Sequence, residues 1–341
     1  MADREVAVVL VDGTTVTSDF TATVTTTAPT GYTRLRSAQF GDVVNRNPIS
    51  EEAMDVSVAS EVEAGTYGLT GTIETALRRD PSTQVLFGSM MGVQDTGTDE
   101  GTFYLTQTPQ EFSIRVTDEQ ARASGITTGT SVYYVGCGMS SCEISLNVKE
   151  YAKCKWSWIG RRGITVHTPA NDGTTTFDDF PMLVFYNAVL TLDTATIKAT
   201  GVTLTIDRKF NQDFFYIGSQ FLQGLIMNGM TTLGGTLNLA ADEWSLLSRT
   251  INGTTSAGSL DGTHTEFTGA NANGLAAGSL ALTLKTPDAT DTEVVITATH
   301  CRITNMNRSV QNRNMWEKSV SFQCAMPTTA AFSVVFTVAT P

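Results

Sequence analysis

The stretch GTYGLTGTIETALRRD, residues 65–80, alternates apolar and polar residues as a half-buried strand does, and then enters a helix-like segment. A similar stretch, GMTTLGGTLNLAADEW, begins at Gly229. A constant offset of 164 residues aligns Gly65 with Gly229, Leu69 with Leu233, Gly71 with Gly235, Thr72 with Thr236 and Ala76 with Ala240. This repetition predicts that residues 65–76 and 229–240 occupy equivalent strands.

Further segments recur in the same order after each stretch. They are the helix-like STQVLFGSMMG and EWSLLSRTING, the alternating FSIRV and SLALTLK, then SVYYVGC and EVVITAT, SCEISLNV and HCRITNM, and finally CKWSWIG and KSVSFQC. In this alignment Cys142 stands at the place of Cys301. The order predicts a tandem duplication joined near residues 161–181.

The composition favours an all-β protein with short helices. Hydrophobic residues make up 41% of the 341 positions and charged residues 16%, and Thr-rich runs such as VTLTID suit half-buried sheets. A chain of this length can bury two full cores. We therefore expect an N-terminal arm over residues 1–32, a first domain over 33–164 and a second domain, with the joining segment, over 165–341.

The charge distribution argues against a protein that grips nucleic acid. The net charge is −12, and Lys and Arg never occur in runs longer than two. The start MADREVAVVLVDG carries acidic residues and is not expected to be a secretory signal, and no apolar stretch is long enough for a membrane span. Five cysteines, an odd number, predict reduced thiols in a protein made in a cytoplasm.

No residue set points to catalysis, a cofactor or a metal. Cys137, Cys142 and Cys154 fall on strand-like segments with only His167 nearby, so small apolar fillers are favoured over zinc ligands. The three histidines lack a nucleophile motif, and the adjacent acids Asp178 and Asp179 point to opposite faces of an extended segment. The chain is therefore not expected to be an enzyme, although an esterase or glycosidase is the enzymatic alternative.

Several segments, in this order, resemble the tail tube proteins of long-tailed, siphovirus-like bacterial viruses, in particular the type with a duplicated tube domain. They are EVEAGTYGLTGTIETAL with its second copy ending LGGTLNLAADEW, then GVTLTIDRKFNQDFFYIGSQ, and then CRITNMNRSVQNRNMWEKSVSFQCAM. The resemblance covers about residues 31–325. It implies two tandem tube-type β-sandwich or barrel domains whose sheets join between neighbours around a lumen.

The resemblance also implies the assembly and its partners. A duplicated member would form trimeric rings that stack into a tube in the virion tail, would meet the tape measure, tail terminator and distal tail proteins, and would let viral DNA pass without specific binding. Loops and arms contact the next ring in this family, which makes residues 1–32, 92–113 and 253–279 candidates for such contacts. Alternatives are a tail hub or distal tail protein of the same fold, a capsid decoration protein or an adhesin.

Strand alternation gives candidate residues for the lumen. Leu69, Gly71 and Ile73 should face the core, as should Val202, Leu204 and Ile206. The opposite face then carries short polar and acidic side chains, and either the lumen or the outer wall would suit it. These candidate lumen-facing residues are Thr70, Thr72, Glu74, Thr203, Thr205 and Asp207.

Overall fold

A computed structural model of the chain shows a mostly β protein with one short helix among the described residues and a large antiparallel sheet. The structure describes residues 6–12, 31–33, 35–49, 61–78, 81–95, 101–105, 111–118, 131–166, 181–192, 195–217, 219, 222–240, 278–287, 292–309, 317–325 and 332–338. The all-β prediction is confirmed at this level. No described helix is both long and apolar enough to cross a membrane.

The strands and the helix follow one another along the chain in this order: β1 (Val6–Asp12), β2 (Gly31–Thr33), β3 (Leu35–Ile49), β4 (Glu61–Ala76), α1 (Pro81–Met91), β5 (Gly92–Asp95), β6 (Gly101–Leu105), β7 (Phe112–Asp118), β8 (Ser131–Asn147), β9 (Lys153–Gly160), β10 (Arg162–Val166), β11 (Val184–Leu192), β12 (Ala195–Thr196), β13 (Ala199–Asp207), β14 (Thr232–Leu239), β15 (Gly278–Lys285), β16 (Thr292–Ser309), β17 (Glu317–Cys324) and β18 (Phe332–Val338).

The first strand set consists of β1–β4 and β7–β10. Strands β3, β4, β9 and the second half of β8 pair in that order, while β2, β1, β7, the first half of β8 and β10 form the other layer. Strand β8 therefore serves both layers. Its two halves, SVYYVGC and SCEISLNV, were expected to be separate strands, but Gly136, with φ of +63°, lets one strand pass from layer to layer.

The second strand set, β11–β18, repeats this pairing order. In the first set, Leu69 lies opposite Gly160. In the second set, the residues 164 positions further along, Leu233 and Cys324, lie opposite each other in the same way. The irregularities recur as well. Strand β3 slips against β4 just after Leu35, and β13 slips against β14 just after Ala199, at the same offset.

This register corrects the alignment of the cysteines. Met139 pairs with Trp158 in the first set, and Ile303 pairs with Phe322 in the second. The offset of 164 therefore places Cys137, and not Cys142, at the position of Cys301. The earlier match failed because residue similarity alone does not fix the register of a strand with a bulge.

The expectation of five reduced thiols is wrong for two cysteines. Cys301 and Cys324 face each other across β16 and β17 with their Cα atoms 4.0 Å apart, and they form a disulfide bond. Cys137, Cys142 and Cys154 are free and buried, as predicted for small core residues. A sequence does not show that two cysteines 23 positions apart stand directly opposite each other in a sheet.

Helix α1 confirms the first helix prediction. It begins at Pro81, a residue favoured in the first turn, and ends at Met91 before Gly92, whose φ of +96° provides a left-handed C-terminal cap. Phe87 packs edge-on against Trp156, with ring centroids 4.8 Å apart, so the helix covers the buried side of the sheet. The second predicted helix, EWSLLSRTING, lies outside the described residues.

One ladder joins the two strand sets directly, and the β5–β6 hairpin, which lies outside both sets, extends the second set. The second half of β8 pairs with β13, from Ser141 opposite Asp207 to Asn147 opposite Gly201. Strand β6 pairs with β18 in the other layer. The buried apolar residues of both sets consequently form one large cluster.

Candidate functional site: a polar sheet face and its two edges

Eight strands form one continuous layer across both sets, in the order β3, β4, β9, β8, β13, β14, β17, β16. One face of this layer is the core. Leu69 and Ile73 of β4 are buried there, as are Val202, Leu204 and Ile206 of β13, which confirms the predicted alternation. The opposite face carries mainly polar side chains, apart from Ile159 of β9, which opposes Thr70 and is buried.

The six candidate lumen-facing residues lie on this polar face. Directly opposed residues of neighbouring strands share a face. Thr72 opposes Ser157, which opposes Ser141, which opposes Asp207. A second row across the same four strands contains Glu74, Lys155, Glu143 and Thr205, and alternation along β4 and β13 adds Thr70 and Thr203. The structure thus brings together residues that the sequence placed in two separate stretches.

The polar face carries charges of both signs: β4 and β13 contribute the short polar and acidic residues expected from the sequence, and β9 between them adds lysines. Within the described part of the eight strands, it carries Glu74, Glu143, Asp207, Lys153, Lys155 and Arg302. The lysines come from β9, where KCKWSWIG alternates lysine or serine with buried residues, a signal that was available in the sequence but was used only to recognise a strand. Asp207 and Lys153 form ion pairs with Lys209 and Glu150 respectively.

A metal site or a reactive cysteine has requirements that the described residues would have to meet. No described cluster of three or more His, Cys, Asp or Glu could hold a metal ion. Burial raises the pKa of the Cys137 and Cys142 thiols well above the ordinary value, so neither is a nucleophile at neutral pH. His300 contacts Thr299 at 2.8 Å and is exposed. His167, His264, Asp178 and Asp179 lie outside the described residues.

Arg208 links the end of β13 to helix α1, and this contact was not predicted from the sequence. Arg208 follows β13 and is buried, and its Nη1 donates a hydrogen bond of 3.5 Å to the carbonyl of Ser89 near the end of α1. The negative end of a helix dipole favours a cation at this position. Burial nevertheless lowers the pKa of Arg208 to about 10, which leaves it charged at neutral pH.

The two ends of the eight-strand layer are open edges. Over the described residues, β3 pairs only with β4, and the 305–309 part of β16 pairs only with β17. An unpaired strand edge presents free N–H and C=O groups to another chain. Phe40 on β3 and Met306 on β16 are only partly buried, so each edge also has apolar surface to cover.

The connection from β13 to β14 forms a folded hairpin over residues 208–231. Phe210 bridges to Met227, and further backbone hydrogen bonds join Asn211 to Ile226 and Gln223 to Phe214. Its inner side packs on Ile159 of β9. We refer to residues 208–231 as the second hairpin.

Over the described residues, two open sheet edges beside a polar face are features of a β subunit that assembles with further chains. The sequence matches the family model described as Phage tail tube protein over residues 11–304. The chain belongs to this family, and it is a structural, non-enzymatic component of the phage tail that assembles into a tube. No individually curated protein matches the sequence.

Proposed function

We propose that the chain is the major tail tube subunit of a siphovirus-like phage and contains two tandem tube domains, over residues 33–164 and 165–341. Three copies then form a ring with pseudo-sixfold symmetry, and rings stack into the tube. The observation that carries the proposal is the recurrence of strand register and bulges at an offset of 164 residues in both strand sets.

The ladder between β8 and β13 supplies a template for the contact between chains. It joins the last strand of the first four-strand layer to the first strand of the second. At the offset of 164 residues, the counterpart of β8 is β16 and the counterpart of β13 is β3, which are the two open edges. Applied between copies, the template places Asn305 opposite Val43, Asn307 opposite Gly41 and Ser309 opposite Gln39.

Closure with three chains rests on the resemblance to tail tube proteins, which implies a ring with six domain places. Each chain supplies two four-strand layers, so three chains supply six layers and six equivalent ladders, three within chains and three between them. A closed ring leaves no lateral strand edge exposed. A hexamer of full-length chains would contain twelve layers and would need a different curvature at every ladder.

The polar face lines the lumen in this proposal. Thr70, Thr72, Thr203 and Thr205 offer short hydroxyl groups, and the described charges on the face are of both signs, with no run of Lys or Arg to grip a passing phosphate backbone. Viral DNA therefore passes without specific binding. Tape measure, tail terminator and distal tail proteins are the proposed partners inside the tube and at its two ends.

Paired cysteine variants test the ring. In the variant with Asn307→Cys and Gly41→Cys, the template places the two new thiols opposite each other across neighbouring chains. We expect oxidation to produce covalent trimers that are visible on a non-reducing gel. The variant with Glu143→Cys and Thr205→Cys occupies the equivalent pair inside one chain and should form a bond without linking chains.

A control and two outcomes make the test decisive. Asn307→Cys combined with Ser37→Cys moves one thiol four residues along the edge and should not crosslink. Covalent hexamers, or equal crosslinking at both positions, would contradict the trimeric ring in this register. A native mass of three chains for the smallest ring provides an independent check, and rings that cap tubes without elongating would favour a hub protein.

A further inference from the structure

The exposed large apolar side chains of the described residues fall into two groups. The first group, the hairpin patch, lies on the second hairpin and contains Tyr216, Ile217, Ile226 and Met230. The second group, the cleft patch, contains Val148, Met182, Tyr186 and Val189. Exposed apolar patches on a soluble protein mark surfaces that another molecule covers.

The hairpin patch is carried by an ordered support. Phe214, Phe215 and Leu225 pack with buried Phe210 and Leu222 beneath it. The Nε2 of Gln223 donates a hydrogen bond of 2.6 Å to Ser219, and the Nε of Arg161 donates one of 3.2 Å to the carbonyl of Leu222. Ile217 is fully exposed although the hairpin has an apolar interior beside it. The tip is therefore presented outward by a hairpin that is already packed.

The cleft patch lies beside an open cleft, which Val148 of the patch helps to line. The apolar lining of the cleft includes Phe185, Ala188, Leu190, Ile197 and Leu282. Tyr186 stands beside the cleft, its ring 5.6 Å from that of Phe185, and about 60% of its surface is exposed. The surface is suited to receive one or two apolar side chains from outside.

The two patches lie at opposite ends of the same ladder. The second hairpin begins directly after Asp207, which pairs with Ser141, whereas Asn147 and Gly201 at the other end of the ladder line the cleft. Seven residue pairs separate these ends, or roughly 20 Å at about 3.3 Å per residue. The two patches are therefore separate surfaces at the two ends of one ladder.

We propose that the hairpin patch of a chain in one ring docks on the cleft patch of a chain in the next ring. The partner is thus a second copy of this chain, and the inference rests on the proposed ring, whose closure uses the edges of β3 and β16. With the edges occupied, the two apolar ends remain for stacking. Because the two surfaces differ, their contact is heterologous, and repetition along an axis gives an open-ended stack. Burial of apolar surface on both sides drives it.

Two complementary variants test this docking by mixing. The hairpin variant carries Tyr216→Asp and Ile217→Asp and keeps its cleft, while the cleft variant carries Tyr186→Asp and Val189→Asp and keeps its hairpin. Each variant alone should form single rings and no tubes. An equimolar mixture should form stacks of only two rings, with twice the mass of one ring, because a single functional contact remains between unlike rings.

The other outcomes are equally informative. Tubes formed by either variant alone would overturn the docking, as would double rings formed by one variant alone or a mixture that stays as single rings. Loss of the ring itself would count against the ring proposal instead. The milder variants Ile217→Ser and Val189→Ser guard against misfolding and should lower the tube-forming fraction at least tenfold. A control with Thr236→Asp and Gln323→Asp adds the same charge on the polar face and should still form tubes.

Discussion

The β3–β4 and β13–β14 hairpins have ladders in equivalent register, but the two hairpins differ at the end where the chain turns. In the first, the strands continue past Asp42, slip after Val44 and remain paired to Ile49 and Glu61. In the second, the ladder stops at Asp207 and Thr232, and the chain folds into the apolar second hairpin. The sheet register is thus common to both strand sets, and the two sets differ in surface at these hairpin ends.

The aromatic positions beside the shared ladder give the largest expected effect. Trp158 and Phe322 occupy equivalent places, each opposite a glycine, and both are buried. We expect Trp158→Ala to lower the free energy of unfolding by about 4 kcal/mol and Phe322→Ala by about 3 kcal/mol, since the larger side chain leaves the larger cavity. Urea unfolding of each variant measures both values.

Trp158→Phe sharpens this comparison because it converts the first position into the second. The Nε1 atom of Trp158 is buried and has no hydrogen-bond partner among the described residues. Its removal therefore costs no hydrogen bond, and we expect a loss of under about 1.5 kcal/mol from volume alone. A cost as large as that of Trp158→Ala would show that the two positions are not equivalent in packing.

The cysteine pair gives the next largest effect and separates the two strand sets. Replacing Cys301 and Cys324 by Ser removes a crosslink that closes a loop within the second set, which should cost about 3 kcal/mol. Thermal unfolding with and without a reducing agent measures it. Wild type in a reducing agent should match the double variant, and a reducing agent that leaves wild type unchanged would contradict the disulfide.

The first strand set lacks only one partner for the same crosslink. Gly160 stands at the position of Cys324, and a Cβ atom built on it would lie 3.1 Å from the Sγ of Cys137, close to the roughly 3.0 Å that disulfide geometry requires between these atoms. We expect Gly160→Cys to bond with Cys137 during oxidative folding, after Trp158 and Leu69 yield slightly. Thiol titration after denaturation should then find two free cysteines, Cys142 and Cys154, where an unbonded variant would have four.

The sequence revealed the pattern of the sheet better than its connections. Leu69, Ile73, Val202, Leu204 and Ile206 were placed on the core side correctly because alternation alone determines the face of a strand. The pairing of Cys301 with Cys324 was missed because register depends on bulges, which residue similarity does not mark. The lysines of β9 were visible in the sequence, but their place on the polar face was not predicted because the sequence does not show that β9 lies between β4 and β8.

Glycines opposite the aromatic residues give a smaller effect that tests the close approach of the strands. A Cβ atom added to Gly71 would lie 2.5 Å from the ring of Trp158, and one added to Gly235 would lie 2.0 Å from the carbonyl oxygen of Thr203. We expect Gly71→Ala and Gly235→Ala to cost about 2 kcal/mol each from overpacking. Gly68→Ala on β4 is the matched control, because no atom lies within 4 Å of its added Cβ. Equal costs at all three positions would rule out close packing as the cause.

The smallest effect on stability, and the most direct test of the lumen, comes from reversing charge on the polar face. Glu74→Lys combined with Asp207→Lys removes the ion pair with Lys209, which at an exposed site is worth under about 1 kcal/mol. Tubes should therefore assemble normally. If this face lines the lumen, however, one added lysine opposes Lys155, the other lies near Lys209, and together they create a positive ring that holds DNA phosphates. Genome ejection in vitro should then slow most at low salt and recover as salt is raised.

The variant Lys155→Glu is the control: it shifts the charge of the same row in the opposite direction and should not slow ejection. An ejection rate that is unchanged across the salt range for the double lysine variant would place this face on the outer wall, while the trimeric ring would remain open to its own crosslinking test.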